Sequence, residues 1–129
     1  MSNLENKLKK IIDTFNKENR EIAFKDIKKL SKKYNNNINV QNVLFQIAKK
    51  VGDIDTSIIA LKTILNVENN NTLYLSKLYK LLLAKGSFNE ALEKINIILE
   101  VENKNYDALR DKSYIYFLKN DFCGSKEIH

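Results

Sequence analysis

The stretch that decides the fold is KGSFNEALEKINIILEVENKN, residues 85–105, because the chain contains a second version of it. Residues 51–71 read VGDIDTSIIALKTILNVENNN, so Gly52 in one stretch corresponds to Gly86 in the other. Both stretches then run through Ile-Leu to Val-Glu-Asn, and the offset between them is 34 residues. A chain that repeats itself at such an interval is built from similar structural units in series.

Each version is preceded by a segment whose apolar residues recur at helical spacing, such as Val40, Leu44 and Ile47 before Gly52. A unit therefore consists of a helix, a short break, a second helix and a polar exit. We predict about seven helices, with breaks near Gly52, Gly86 and Asn120. Ser87 followed by Glu90 has the spacing of a capping box, which would start the helix after Gly86.

The composition favours an all-α fold. The chain has 129 residues, no proline and three glycines, with 43% hydrophobic and 29% charged residues. These proportions are typical of a globular protein rather than a disordered one. We predict a single repeat domain over residues 1–129, with four units at about 4–37, 38–71, 72–105 and 106–129, the last one incomplete.

Targeting and cofactor signals are not found in the sequence. The N-terminus lacks the apolar core of a signal peptide, and no stretch approaches the ~20 apolar residues that span a bilayer. We therefore expect a cytoplasmic protein that does not enter a membrane. One cysteine, Cys123, and one histidine, His129, cannot supply a zinc site or a thiol catalyst, so no metal and no cofactor is expected.

The net charge of +6 comes mostly from the first unit. Residues 1–37 contain ten Lys or Arg against five Asp or Glu, whereas the later units are nearly balanced. Lys25, Lys28, Lys29 and Lys32 fall opposite the apolar stripe of their helix. We expect a solvated lysine face, because nucleic-acid binding usually needs a longer basic track with arginines or aromatics.

A set of small residues recurs at one position of the second helices: Ala23, Ser57, Ala91 and Ser125. Together with the glycine at the break and the 34-residue period, these residues give a pattern that resembles the tetratricopeptide repeat family. The proline usual at the exit is absent, and Phe45 or Tyr79 stands where the first helix usually has a small residue. The resemblance covers nearly the whole chain and is strongest from residue 38 to 122.

The resemblance implies a right-handed superhelix of antiparallel helix pairs, in which neighbouring units share one core. It also implies a concave groove lined by the first helix of each unit, where a peptide or partner protein binds. Carried over to this sequence, the groove positions that we expect to contact a partner are Asn39, Asn42, Gln46, Lys77, Lys80, Arg110 and Tyr114.

Some members of the family bind a C-terminal carboxylate with a clamp of lysines and asparagines. Asp107 and Asp111 stand at clamp positions of the last unit, so an anionic terminus would be repelled there. Lys77, Lys80 and Arg110 could bind acidic groups of a partner or could instead pair with these two aspartates. The sequence leaves both possibilities open.

No catalytic motif is present in the sequence, so an enzyme is not expected. The preferred function is a non-catalytic scaffold for protein interaction, as part of a longer protein. The alternatives are an accessory targeting region of a larger enzyme, such as a glycosyltransferase or a sulfotransferase, and, less favoured, an RNA-binding repeat.

The end of the chain has an apolar run, YIYFL at residues 114–118, in the helix of the last unit. Repeat arrays usually end in a polar capping helix, and this run is too apolar for that role. We therefore expect an uncovered apolar face, which would contact further repeats of a longer protein or a second copy of the chain.

Overall fold

The structure, a computed structural model, describes the backbone of residues 3–17 and 19–127 and the side chains of residues 3–17 and 19–119. These residues form seven helices and no strand, which confirms the prediction of an all-α chain. The helices are α1 (Asn3–Lys17), α2 (Arg20–Lys33), α3 (Ile38–Val51), α4 (Ile54–Val67), α5 (Thr72–Ala84), α6 (Phe88–Val101) and α7 (Tyr106–Glu127).

The chain folds as two compact units, Met1–Asn69 and Asn70–His129. In the first, α1 packs on α2, α2 on α3 and α3 on α4, and α1 also contacts α3. In the second, α5 packs on α6 and α6 on α7. The single repeat domain predicted for the whole chain stays a prediction.

The breaks at Gly52 and Gly86 are built alike. Both glycines have a left-handed backbone, with φ of 89° and 80°, which a residue with a side chain rarely adopts. The amide of the next residue, Asp53 or Ser87, donates 2.8 Å to the carbonyl of Ala48 or Leu82 respectively. The 34-residue period therefore repeats a particular turn and not only an apolar pattern.

The predicted break near Asn120 is wrong, because α7 continues from Tyr106 to Glu127. The position that corresponds to Gly86 is here Asn120, which has a side chain and gains nothing from leaving the helix for a left-handed turn. An unbroken helix also keeps its backbone hydrogen bonds. The side chains of Ser125 and Cys123 lie outside the described residues.

Asparagines with the same period start the first helices. The side-chain oxygens of Asn37, Asn71 and Asn105 accept hydrogen bonds from backbone amides of α3, α5 and α7 at 3.0 to 3.4 Å. Each asparagine thus satisfies an amide that has no partner within the helix. The polar exits of the repeat therefore serve as N-caps of the helices that follow.

The second helices are capped less uniformly. Asp53 caps α4, since its Oδ1 accepts 3.0 Å from the Thr56 amide and its Oδ2 accepts 2.7 Å from the Thr56 hydroxyl. These two bonds, with a smaller contribution from Lys28, lower the pKa of the Asp53 carboxyl from its ordinary value of 3.8. Ser87 occupies the N-cap of α6 but makes no side-chain capping bond, so the predicted hydroxyl half of the capping box is not formed.

We expect Asp53→Ala to lower the free energy of unfolding by about 1 kcal/mol at neutral pH, because the first amides of α4 lose their acceptor. A carboxyl with a lowered pKa stabilises the fold above pH 3.8, and that contribution disappears as the pH falls through the folded-state value. Urea unfolding at pH 7 and near pH 2 measures both effects. Ser87→Ala is the matched control; an equal loss from it at pH 7 would show that the cap is not the cause.

The small residues of the second helices lie in the core. Ala23, Ser57 and Ala91 are fully buried. The Ser57 hydroxyl donates 3.4 Å to the carbonyl of Phe45 on α3, which shows how closely α4 approaches the facing helix. The period thus identified the positions where two helices of a pair meet.

Candidate functional site

Two first helices of the unit Met1–Asn69, α1 and α3, enclose a cleft of about 90 Å³. We call it the α1–α3 cleft. Apolar and polar side chains line it: Ile12, Phe15, Asn16, Val43, Gln46, Ile47 and Lys50.

The floor and rim of the α1–α3 cleft differ in chemistry. Phe15 and Ile47 are buried and form an apolar floor, whereas Ile12 on the rim is 40% exposed. Asn16 and Gln46 are exposed and carry amide groups that can both donate and accept hydrogen bonds. Such a combination suits a peptide, whose side chain can contact the floor while its backbone bonds to the amides.

Two cations lie over the Phe15 ring. The Arg20 guanidinium is 4.9 Å and the Lys50 ammonium 5.6 Å from the ring centroid. Cations at these distances are attracted by the ring face. The α1–α3 cleft is therefore bordered by positive charge, which favours a partner with acidic groups beside its apolar anchor.

The predicted groove residues of α3 lie along one side of that helix, at spacings of three and four residues. Gln46 lines the α1–α3 cleft, as does Val43. Asn39 is exposed and Asn42 half-buried, and neither is among the lining residues. Their contact with a partner stays a prediction.

The other predicted residues belong to the unit Asn70–His129. Lys77 and Lys80 lie on α5, and Arg110 and Tyr114 lie on α7. Lys80, Arg110 and Tyr114 are exposed, whereas Lys77 is half-buried. Their role as partner contacts likewise stays a prediction.

Arg110 is engaged by aspartates of its own helix. Its guanidinium lies 3.4 Å from the Asp107 carboxylate and 3.4 Å from that of Asp111. The Asp107 side chain is 70% exposed. An acidic partner would have to compete with these two carboxylates, which agrees with the expectation that no carboxylate clamp is present.

A hydrogen bond links α5 to α7: the Tyr79 hydroxyl donates to the Asp111 carboxylate. Burial of the ring, followed by the bond to Asp111 and the negative charges of Asp111 and Asp107, raises the pKa of the Tyr79 phenol above its ordinary value of 10.0. Tyr79 occupies the position where the repeat family usually has a small residue. Its ring fills core space, and its hydroxyl fixes one first helix against the next.

Sequence reasoning missed the contribution of α1 to the site, namely Ile12, Phe15 and Asn16. A signal was available for one of them, because Ile12 precedes Gln46 by one period of 34 residues. The first unit matches the repeat faintly, so its groove positions were not carried over.

Neither a membrane helix nor a metal centre is found in the part of the chain that the structure describes. No described helix is both long and apolar enough to cross a bilayer. No group of three or more His, Cys, Asp or Glu residues is arranged there to hold a metal ion.

Comparison with known proteins gives matches in structure but not in sequence. No protein-family model matches the sequence, and no curated protein matches it either. Solved structures do match at the level of the fold.

The crystal structure of MamA superimposes with a TM-score of 0.74 at 16% identity, covering 92% of this chain; the chain spans 64% of the length of MamA. The type III secretion chaperone SycD of Yersinia enterocolitica, in complex with a peptide of the translocator YopD, gives a TM-score of 0.71 at 17% identity and coverages of 90% and 94%. The first tetratricopeptide repeat domain of Spaghetti (RPAP3), bound to the HSP90 peptide SRMEEVD, gives 0.62 at 14% identity, with coverages of 88% and 95%.

The fold is therefore that of the tetratricopeptide repeat proteins, as the sequence pattern predicted. The seven described helices, the left-handed glycine turns and the buried small residues are the features that this chain shares with the pattern.

Proposed function

We propose that the chain is a non-catalytic scaffold that binds a peptide or a partner protein on the exposed faces of its first helices. The α1–α3 cleft carries the proposal, because an apolar floor, two amide side chains and positive charge meet there. A partner would place an apolar side chain against Phe15 and Ile47 and bond to Asn16 and Gln46.

Two structural neighbours support this reading, since SycD and the RPAP3 domain were each solved with a peptide. In the unit Asn70–His129, Lys77, Lys80, Arg110 and Tyr114 would add polar contacts. A cytoplasmic location, expected from the sequence, remains part of the proposal.

Ile12→Asp tests the proposal, because it places a carboxylate on the rim of the cleft in place of an exposed isoleucine. Ile59→Asp on α4 is the matched control: Ile59 is 62% exposed, lies in the same unit and does not line the cleft. Partners captured from the native cell by the wild-type chain would be compared quantitatively with those captured by each variant. We expect Ile12→Asp to reduce capture about tenfold, a loss typical of a charge placed in an apolar contact, and Ile59→Asp to leave it unchanged.

Circular dichroism melting of both variants separates lost binding from lost folding. Equal capture by the Ile12→Asp chain and the wild type would contradict binding at the α1–α3 cleft. Equal losses from both variants would show that the effect is not specific to this cleft.

We also propose that the chain self-associates through α7. Leu109, Tyr116 and Phe117 share one side of that helix and are 40%, 46% and 64% exposed. Apolar side chains grouped in this way favour contact with another protein surface. The expected uncovered face is thus present, and its coverage by a second copy is the proposal.

Sedimentation velocity over a range of concentrations tests self-association. We expect the wild-type chain to form a dimer at high concentration and Phe117→Asp to weaken that dimer at least about tenfold. Ile59→Asp again serves as control and should dimerise as the wild type does. A wild-type chain that stays monomeric at every concentration would contradict this part of the proposal.

A further inference from the structure

A second and larger cleft lies between α1 and α2, with a volume of about 360 Å³. We call it the lysine cleft. Its lining comprises Lys7, Lys10, Ile11, Thr14, Asp26, Lys29, Leu30 and Lys33. None of these residues lines the α1–α3 cleft, so the two are separate surfaces of one helix pair.

The charges around the lysine cleft are not balanced. Four lysines line it against one carboxylate, that of Asp26. Among the described residues, Lys7, Lys10 and Lys29 form no ion pair or hydrogen bond through their side chains, and Lys33 lies 5.6 Å from the centre of the Tyr34 ring. Four cations around one cleft produce a positive potential there that an anionic ligand would relieve.

The cleft also has an apolar floor, which a simple solvated lysine face lacks. Ile11 is buried and Leu30 half-buried between the two rows of lysines. The Thr14 hydroxyl donates 2.9 Å to the Lys10 carbonyl and so is directed to its own helix. A ligand that fits both features has negative groups on either side of an apolar one.

The spacing of the lysines favours a chain over a compact anion. Lys7 and Lys10 are separated by about 4.5 Å along α1, and Lys29 and Lys33 by about 6 Å along α2, from the rise of a helix. In an extended peptide, side chains on the same side are about 7 Å apart. Carboxylates distributed along a peptide can therefore each meet a lysine, whereas a single phosphate reaches only part of the set.

Nucleic acid fits the lysine cleft less well. No aromatic or arginine side chain lines it, so bases have no surface on which to stack. We therefore propose that the lysine cleft binds an acidic peptide segment of a partner protein, with carboxylates that flank a small apolar side chain. This site is independent of the α1–α3 cleft.

The test uses a fluorescein-labelled peptide, Glu-Glu-Leu-Glu-Glu-Leu-Glu-Glu, and fluorescence anisotropy with the full chain. The lysine-cleft variant carries Lys7→Gln, Lys10→Gln, Lys29→Gln and Lys33→Gln. The matched control carries Lys17→Gln, Lys25→Gln, Lys32→Gln and Lys104→Gln, which remove the same charge from exposed lysines outside the cleft.

We expect the wild-type chain to bind the peptide and the lysine-cleft variant to lose at least about tenfold in affinity, the sum of several exposed ion pairs. The control should lose less than about threefold, and Ile12→Asp should bind as the wild type does. A peptide with glutamine in place of glutamate should not bind. Binding should also weaken as salt is raised, since the Debye length falls from about 10 Å at 0.1 M to 3 Å at 1 M.

Equal losses in the lysine-cleft variant and the control would overturn the proposal, because attraction to net charge would then explain the binding. So would a wild-type chain that does not bind the peptide, or one that binds inorganic pyrophosphate or single-stranded RNA through these lysines in preference to it. Methyl NMR of Ile11 and Leu30 in the wild-type chain gives a readout that needs no variant. Their signals must shift on addition of the peptide if the site is correct.

Discussion

Ala91→Leu should lower the free energy of unfolding by about 1 to 3 kcal/mol, the usual result of forcing a larger side chain into a packed core. Ala91 is fully buried in α6, and no part of it reaches solvent. It corresponds to Ser57, whose hydroxyl reaches the backbone of the facing helix. The added atoms of leucine would have to push α5 and α6 apart.

Urea unfolding followed by circular dichroism measures this loss. Glu93→Leu is the matched control, because it adds a leucine to the same helix at an exposed position. We expect the control to change the free energy of unfolding by less than about 0.5 kcal/mol. If Ala91→Leu were as mild as the control, the register of α6 against its neighbour would be wrong.

The second large effect is expected at Tyr79. Tyr79→Phe removes the hydroxyl that donates to Asp111 and leaves this carboxylate, 17% exposed, with Arg110 at 3.4 Å. We expect a loss of about 1 to 3 kcal/mol in the free energy of unfolding, the range for a hydrogen bond to a charged group. Tyr114→Phe is the control, since Tyr114 is 53% exposed, and it should have no measurable effect.

The same bond predicts a dependence on alkaline pH. The pKa of Tyr79 is raised in the folded chain, so its contribution is complete below the ordinary value of 10.0 and is lost as the pH rises through the folded-state value. The stability advantage of the wild type over Tyr79→Phe should therefore shrink when unfolding is measured above pH 10. A constant difference from pH 8 to pH 11 would show that the phenol is not held by Asp111.

The sequence was sufficient to predict those parts of the fold that depend on local backbone geometry. Gly52 and Gly86 could be recognised as breaks because a left-handed turn favours glycine over other residues. Asn120 shows the limit of this reasoning. The period placed a break there, but without glycine the helix continues.

The pairing of side chains between helices could not be predicted in the same way. Tyr79 was recognised as too large for its position, yet its bond to Asp111 depends on how α5 and α7 face each other. The lysine cleft is a similar case. The excess of charge was visible in the sequence, but a separation of 19 residues between Lys10 and Lys29 does not show that they line one cleft.

The site was predicted in part for a related reason. Gln46 was assigned from the repeat and does line the α1–α3 cleft. Ile12 and Phe15 were missed because the first unit keeps the apolar spacing but has no glycine at its break. The side-chain interactions of a divergent unit become visible only when the helix pair is assembled.

Binding at the α1–α3 cleft is tested most directly by a photo-reactive amino acid placed at Val43 in the native cell. Val43 lines the cleft, and Ile59 in the same unit provides the control position. We expect irradiation to cross-link one protein to the chain from position 43 and not from position 59, and Ile12→Asp to abolish that product. The same cross-linked proteins from both positions, with no effect of Ile12→Asp, would contradict a binding site in this cleft.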